Sequence, residues 1–366
     1  MADPELNVLL LAGRLRADDD GRPIGPLLDR LSGRGMSVQV LCVSAEPVPG
    51  VDFRIIECPG LRNRWQRALT VRRLHLGGGL KRPDLLHVLD PGMGPVALAL
   101  AERWQVPYVQ TVDEFADSHT AIRVSRRWCR RLVAASGELA TDLARNLGIP
   151  EDVLAVVHPG IAAPEEAPIC PGAGRVPVIG TAGPLTSKSG FATFLEAARR
   201  VIDVGTEAEF VIAGGGEDEV DLRRRADRLG IADRVTFAGN PILGRRFWNV
   251  LDVYCQTSIA PTVGRPLSVA LAFGVPSIAS DIEGLRSLLT HDVTGLRVPP
   301  GDPVALGRSL LALLGDPPLA RRLGEAGRAA ILRDSTPDTE AQTLVDVYRR
   351  AVAREDNPLA HLREPD

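Results

Sequence analysis

At 366 residues the chain exceeds what one hydrophobic core usually supports, and its 45% hydrophobic and 24% charged content is that of a folded protein, so two domains are expected. A formal net charge of -3 provides no global positive field for phosphate backbones, which argues against a nucleic-acid partner. No apolar stretch has the length of a membrane span, and the opening MADPELNVLLLAG carries acids but no basic segment ahead of its apolar run. Neither a spanning helix nor a secretory signal is expected, and a cytoplasmic location is the default reading.

Short runs rich in Val, Leu and Ile, bounded by Gly and Pro and separated by stretches of helical spacing, predict parallel strands with crossover helices. In chain order, strands are expected at residues 7–11, 37–43, 52–56, 85–88, 108–112, 132–135 and 154–157, with helices at 26–32, 95–104 and 138–146. Residues 162–177 then break every period with Pro, Gly and Ala and read as an interdomain connection. A second series follows, with strands at 178–180, 209–213, 234–237, 253–256, 277–279 and 295–298 and main helices at 190–204, 217–229 and 267–273. A last helix at 338–352 comes after the second sheet is complete, and the polar tail 355–366 is expected to fray. Alternation throughout implies an α/β protein with two doubly wound sheets, which bind ligands at the carboxyl ends of their strands.

Several common motifs are missing. No GxGxxG follows the first strand and no GxxxxGK[ST] occurs, so neither a dinucleotide site nor a P-loop is supported. Cys42, Cys58, Cys129, Cys170 and Cys255 stand far apart in sequence, without metal-knuckle or CxxC spacing, and read as buried thiols. The run Asp18, Asp19, Asp20 reads as a solvated loop, because consecutive acids point apart. Gly214, Gly215 and Gly216 follow a strand and precede a helix, a pattern that serves either a tight turn or a ligand. The basic run Arg126, Arg127, Arg130 and Arg131 reads as a solvated face that leaves room for a peripheral contact with an anionic membrane, and Arg223, Arg224 and Arg225 as another solvated face.

The second half contains GPL at 183–185, KSG at 188–190, VIAGGGED at 211–218, RVTFAGN at 234–240, LDVYCQTS at 251–258, GRPLSVALAFGVPSIASDIEG at 264–284 and TGLRVPPGDP at 294–303. In order and spacing these segments resemble the nucleotide-binding domain of the family 4 glycosyltransferases. HVLDPGMGPVALALAERWQVPYVQTVDE at 87–114 and VVHPGI at 156–161 are similar to the acceptor-side domain and exit strand of that family. The resemblance implies the GT-B fold, two Rossmann-like domains with a cleft between them. The acceptor-side domain would span 1–163, completed by a crossing helix at about 338–366, and the nucleotide-sugar domain 164–337. The implied activity is retaining transfer from a nucleotide sugar to a carbohydrate or lipid-linked acceptor, with no metal or other cofactor.

A leaving diphosphate needs cations and helix amino termini. Gly264-Arg265-Pro266 introduces a helix whose N–H groups can face a phosphate, and Pro266 suits a first turn. By the resemblance, the donor-binding residues are Lys188, Ser189, Gly190, Gly214, Asn240, Gly264, Arg265, Leu267 and Ser268. Where the family has an arginine after the first strand of this domain, this chain has Pro184, and Arg265 is expected to replace it. Pro261 and Val269 occupy the positions of the family's two glutamates. Asp113 stands where the family has a histidine and is the candidate catalytic carboxylate, with a turn-forming role as the alternative. Gly25, His87 and His119 are the remaining acceptor-side candidates, with residues 12–25 in the place of the family's acceptor loop. The missing glutamates keep a second reading open, that of an inactive glycosyltransferase-like binding or scaffold protein. A nucleotide-sugar epimerase of the same fold is a third, which would also need carboxylates in the cleft.

Overall fold

The computed structural model describes residues 5–15, 24–46, 53–75, 79–115, 124–164, 175–239 and 245–353. The expectations for Asp18, Asp19, Asp20, His119, Cys170, Asn240, the tail 355–366 and most of the connection 162–177 lie outside those residues. Two compact units divide the chain, Met1–Gly160 with Pro337–Asp366, and Ile161–Thr336.

The first unit holds β1 (Leu6–Leu15), β2 (Met36–Ala45), β3 (Arg54–Glu57), β4 (Leu85–Val88), β5 (Tyr108–Val112), β6 (Cys129–Ala134) and β7 (Leu154–Val156). They form one parallel sheet in the order β3-β2-β1-β4-β5-β6-β7. Helices cover both faces of such a sheet, so its strands are apolar runs: Val8, Leu9, Leu10 and Leu11 are all fully buried. The connecting helices are α1 (Ile24–Ser32), α2 (Arg64–His75), α3 (Gly94–Trp104) and α4 (Gly137–Leu147).

In the second unit β8 (Val178–Ala182), β9 (Glu209–Ala213), β10 (Val235–Gly239), β11 (Val253–Gln256), β12 (Ser277–Ser280) and β13 (Leu296–Val298) form a parallel sheet in the order β10-β9-β8-β11-β12-β13. Its helices are α5 (Phe191–Asp203), α6 (Glu219–Arg228), α7 (Arg245–Val250), α8 (Arg265–Ala272), α9 (Pro303–Gly315) and α10 (Pro317–Asp334). Successive strand residues serve opposite faces: Val253 and Cys255 join Phe194, Phe210 and Leu310 in one core, while Tyr254 joins Trp248, Leu267, Leu271 and Phe273 in the other. Trp248 and Phe273 are thus core residues beneath α8. In both sheets the order turns back beside the first strand, between β1 and β4 and between β8 and β11, the arrangement that opens a crevice at the carboxyl edge.

The last helix, α11 (Pro337–Ala353), belongs to the first unit. Ala341, Leu344, Val345, Tyr348 and Ala351 recur at helical spacing and join the core of α1 and β1. Glu340, also buried, accepts a hydrogen bond from Gly160 N at 2.8 Å, which ties the helix to the end of the first unit's chain.

Four helices go beyond the expected set. The expected strand at 52–56 is followed by α2, whose sequence RWQRALTVRRLH has too narrow an apolar stripe to announce itself. α7 has only 6 residues. α9 and α10 both open on Asp-Pro: Asp302 accepts from Val304 N and Ala305 N, each at 2.9 Å, and Asp316 from Leu319 N at 3.0 Å. The first arginine run also differs from expectation, whereas the second lies on a solvated helix face as expected. Arg130 and Arg131 sit half-buried in β6, and only Arg127 of that group is exposed, its guanidinium 5.0 Å from the Trp128 ring. On α6, Arg223, Arg224 and Arg225 pair with Glu219, Asp221 and Glu196. Among the described residues no helix is long and apolar enough to cross a membrane.

Candidate functional site

The carboxyl edge of the second sheet is built by the loops after β8, β9 and β11. Gly183 N donates to Ala213 O at 3.0 Å, Leu185 N to Gly215 O at 3.0 Å and Asp218 N to Leu185 O at 3.1 Å. A Cβ on Gly214, which has φ +141°, would collide with Gly183 O, and one on Gly216 with Leu185 O. Close backbone approach therefore accounts for these two glycines of the triplet.

Lys188 is exposed on a single 3₁₀ turn, Ser187–Ser189, and several contacts fix it. The Ser189 hydroxyl donates to Pro184 O at 2.5 Å and lies 3.3 Å from Thr186 Oγ1, so it shapes the turn. Thr257 Oγ1 donates to Ser189 O at 3.0 Å and Ile259 N to Lys188 O at 2.8 Å. Gly190 caps α5 at φ +69°, where a Cβ would collide with Thr257 O. The lysine turn is in this way bonded to the loop that leads from β11 into α8.

That loop ends at Gly264, whose φ of +64° lies in the left-handed region and whose position meets the Leu285 and Leu288 side chains at 2.5 and 2.9 Å from an added Cβ. No side chain caps α8. Arg265 is its first residue, half-buried, and Pro266 occupies the position where a missing N–H costs nothing. Leu267 is buried in the core, so only its main chain is on offer to a ligand. The Ser268 hydroxyl donates back to Gly264 O at 3.3 Å. A helix start of this kind, with positive charge on its first residue and a lysine turn bonded to its lead-in loop, suits a phosphate.

Neither position of the missing glutamates supplies chemistry: Pro261 is exposed and Val269 is packed in the core. The structure brings acids from farther along the chain. Glu283, after β12, is exposed, and its carbonyl accepts from Thr262 N at 3.4 Å, which draws it to the loop before α8. Asp281 is held by Arg286 Nε at 2.8 Å and Arg297 Nη1 at 3.3 Å. The Arg286 hydrogen bond, with Arg297 and His291 beside it, holds that carboxyl below its ordinary range. Sequence reasoning overlooked Glu283 because only the strand order puts β12 next to β11.

In the first unit Asp113 immediately follows β5 and is partly exposed at the carboxyl edge of its sheet. Gly25 is buried in the first turn of α1. His87 is buried within β4, its Nδ1 2.7 Å from Tyr348 Oη of α11 and its Nε2 2.8 Å from Thr111 Oγ1 of β5, so one ring nitrogen seats α11 and the other bonds the neighbouring strand. Asp90, absent from the expected set, lies at the switch point of this sheet: it accepts from Gly92 N at 2.8 Å and is packed so closely on Gly13 that an added Cβ there would displace its carboxylate. Cys42, Cys129 and Cys255 are buried and free, and Cys58 is half-buried. Burial raises the Cys42 thiol to about 11 and Cys129 to about 12. Among the described residues no group of three or more His, Cys, Asp or Glu is placed to hold a metal ion.

Residues 171–330 match the family model for glycosyl transferases group 1, and residues 26–163 that for glycosyltransferase family 4. The D-inositol 3-phosphate glycosyltransferase of Xylanimonas cellulosilytica is 27% identical, covering 93% of this chain and 87% of that protein. The 2-deoxystreptamine glucosyltransferase of Streptomyces kanamyceticus is also 27% identical, over 82% of each. Of solved structures, the Anabaena protein HepE in complex with UDP-glucose shares the fold at a TM-score of 0.73 and 18% identity, covering 94% of this chain and 100% of that one. With both halves matched and the two parallel sheets in place, the chain belongs to the GT-B glycosyltransferases, a family 4 domain followed by a group 1 domain.

Proposed function

We propose that this glycosyltransferase takes a nucleotide sugar as donor and passes its glycosyl group, with retention at the anomeric carbon, to a carbohydrate or lipid-linked acceptor. One observation carries the reading: the uncapped start of α8 at Gly264-Arg265, with the exposed Lys188 turn hydrogen-bonded to the loop that precedes it. As the bond between the sugar carbon and the diphosphate oxygen breaks, its electron pair stays on the diphosphate. Backbone amides of α8, Arg265 and Lys188 lower the energy of that growing charge without reorganising. The acceptor oxygen forms the new bond to the same carbon, and Asp113 is assigned its proton. Glu283 is assigned to donor hydroxyls, in place of the carboxylates missing at Pro261 and Val269. The relative solved with UDP-glucose supports a sugar nucleotide as donor.

The burial of Val269 in the core and the proline at 261 favour a second reading, in which the same pocket binds a nucleotide sugar and does not turn it over. A hydrolysis assay separates the two. Each of UDP-, GDP- and ADP-glucose is incubated with the full chain, and released sugar is followed by proton NMR. Transfer chemistry predicts slow release from one donor, with glucose appearing first as the donor's own anomer and release abolished in Lys188→Ala. Tight binding with no release above the buffer rate supports the binding protein, and release as the opposite anomer contradicts retention.

A further inference from the structure

In the function proposed above the first unit takes the acceptor, and the side chains at the carboxyl edge of its sheet bear on what that acceptor carries. Asp90 follows β4 and caps the turn Pro91–Met93, which leads straight into α3. Its Oδ1 accepts from Gly92 N at 2.8 Å, and the exposed carboxylate lies over the end of β1, in the space that a side chain on Gly13 would need. A helix start ordinarily draws an anion, but here the chain's own carboxylate already meets that end. A phosphate on the acceptor would face a second negative charge. Asp113 and the exposed Glu114 follow the neighbouring strand β5, while Arg14, a cation at the end of β1, is held by Glu46 at 2.8 Å.

A second observation comes from below the turn. Gln110 of β5 is 3% exposed, and its Oε1 stands 3.5 Å from the Cβ position of Gly94, the first residue of α3. Among the described residues this oxygen has no hydrogen-bond partner. A buried acceptor left unpaired is costly, so the start of α3 calls for a donor from a ligand. Carboxylates and an amide oxygen at one turn all accept, and an ammonium both donates to them and supplies the missing positive charge. We propose that the acceptor is a polyhydroxylated amine of the amino-sugar kind, its ammonium seated between Asp90 and Gln110 at the start of α3. The proposal rests on the first unit being the acceptor side. Asp113 keeps the proton-accepting role assigned above.

Isothermal titration of the full chain with the methyl glycosides of glucosamine, N-acetylglucosamine, glucose and glucose 6-phosphate tests it. The glucosaminide is expected to bind about tenfold or more tightly than the other three. Asp90→Asn should bring the glucosaminide down to the level of the glucoside. Gln110→Leu should weaken the glucosaminide by about fivefold or more while its thermal midpoint stays at or above that of the wild type, because it removes a buried polar atom that has no partner; a glutamine with a merely structural role would melt lower. Equal binding of the four glycosides, tightest binding of the phosphate, an undiminished preference in Asp90→Asn, or no binding of any glycoside overturns the proposal. UDP, GDP and ADP titrated into the same samples report on the donor site separately. Nucleotide binding without an amine preference removes the amine proposal and leaves the donor reading standing, and an amine preference without nucleotide binding does the reverse.

Discussion

In the proposed function Lys188 meets a diphosphate from a turn held by hydrogen bonds to Thr257 and Ile259. Gly190 is the residue on which that depends: its left-handed backbone and the carbonyl of Thr257 leave no room for a Cβ. Gly190→Ala is therefore expected to cost about 1–3 kcal/mol of stability and to weaken donor binding as well, measured by thermal melts and titration of the same sample. Lys188→Ala removes an exposed side chain, so its thermal midpoint should stay within about 1 °C of wild type while donor affinity falls by about tenfold or more. Asp281 adds a pH dependence. Its carboxyl is held below the ordinary range when folded, so the unfolded chain binds more protons there as pH falls. The pairing with Arg286 contributes fully above the ordinary carboxylate range and is lost as pH drops through the lowered value. With 43% of the side chain exposed, the loss is below about 1 kcal/mol, and Asp281→Asn should flatten the acid limb of a stability-against-pH curve by that amount. In the sequence Lys188 and Gly264 are proposed from motif order alone. The reason for Gly214 was not legible there, since its partner Gly183 belongs to another loop.

Elements differ in how openly the sequence declares them. Strands buried on both faces are conspicuous as apolar runs, and β5, β9 and β11 begin and end where those runs do. Helices α9 and α10, which go beyond the expected set, carry signals as strong, an aspartate followed by proline ahead of apolar periodicity. Asp302→Ala tests that capping directly: it should lower stability by about 1 kcal/mol, or about 2–4 °C in a unit of this size, with donor binding intact. α11 was legible as a helix without a place in the second sheet. What seats it, the His87–Tyr348 hydrogen bond at 2.7 Å, joins residues 261 positions apart and has no local signature. Tyr348→Phe removes this hydrogen bond to a buried imidazole and is expected to cost about 1–3 kcal/mol, read by chemical denaturation.

At the scale of the whole molecule, both sheets turn back beside their first strand, so each unit offers its carboxyl edge to ligands. The alternation of strands and helices was enough to state this fold, and the ordered motifs were enough to name the family. No acid stands beside Pro261 and Val269 in local sequence, and Glu283, whose backbone is bonded to the loop before α8, follows the neighbouring strand β12. The central claim is that the start of α8 and the Lys188 turn form one diphosphate site. Isothermal titration of UDP, GDP and ADP into the wild-type chain, Lys188→Ala and Arg265→Ala tests it most directly. One nucleotide should bind the wild-type chain, and each variant should bind it at least about tenfold more weakly with an unchanged thermal midpoint. Equal affinity in all three proteins, or no binding of any nucleotide to the wild-type chain, would contradict the account.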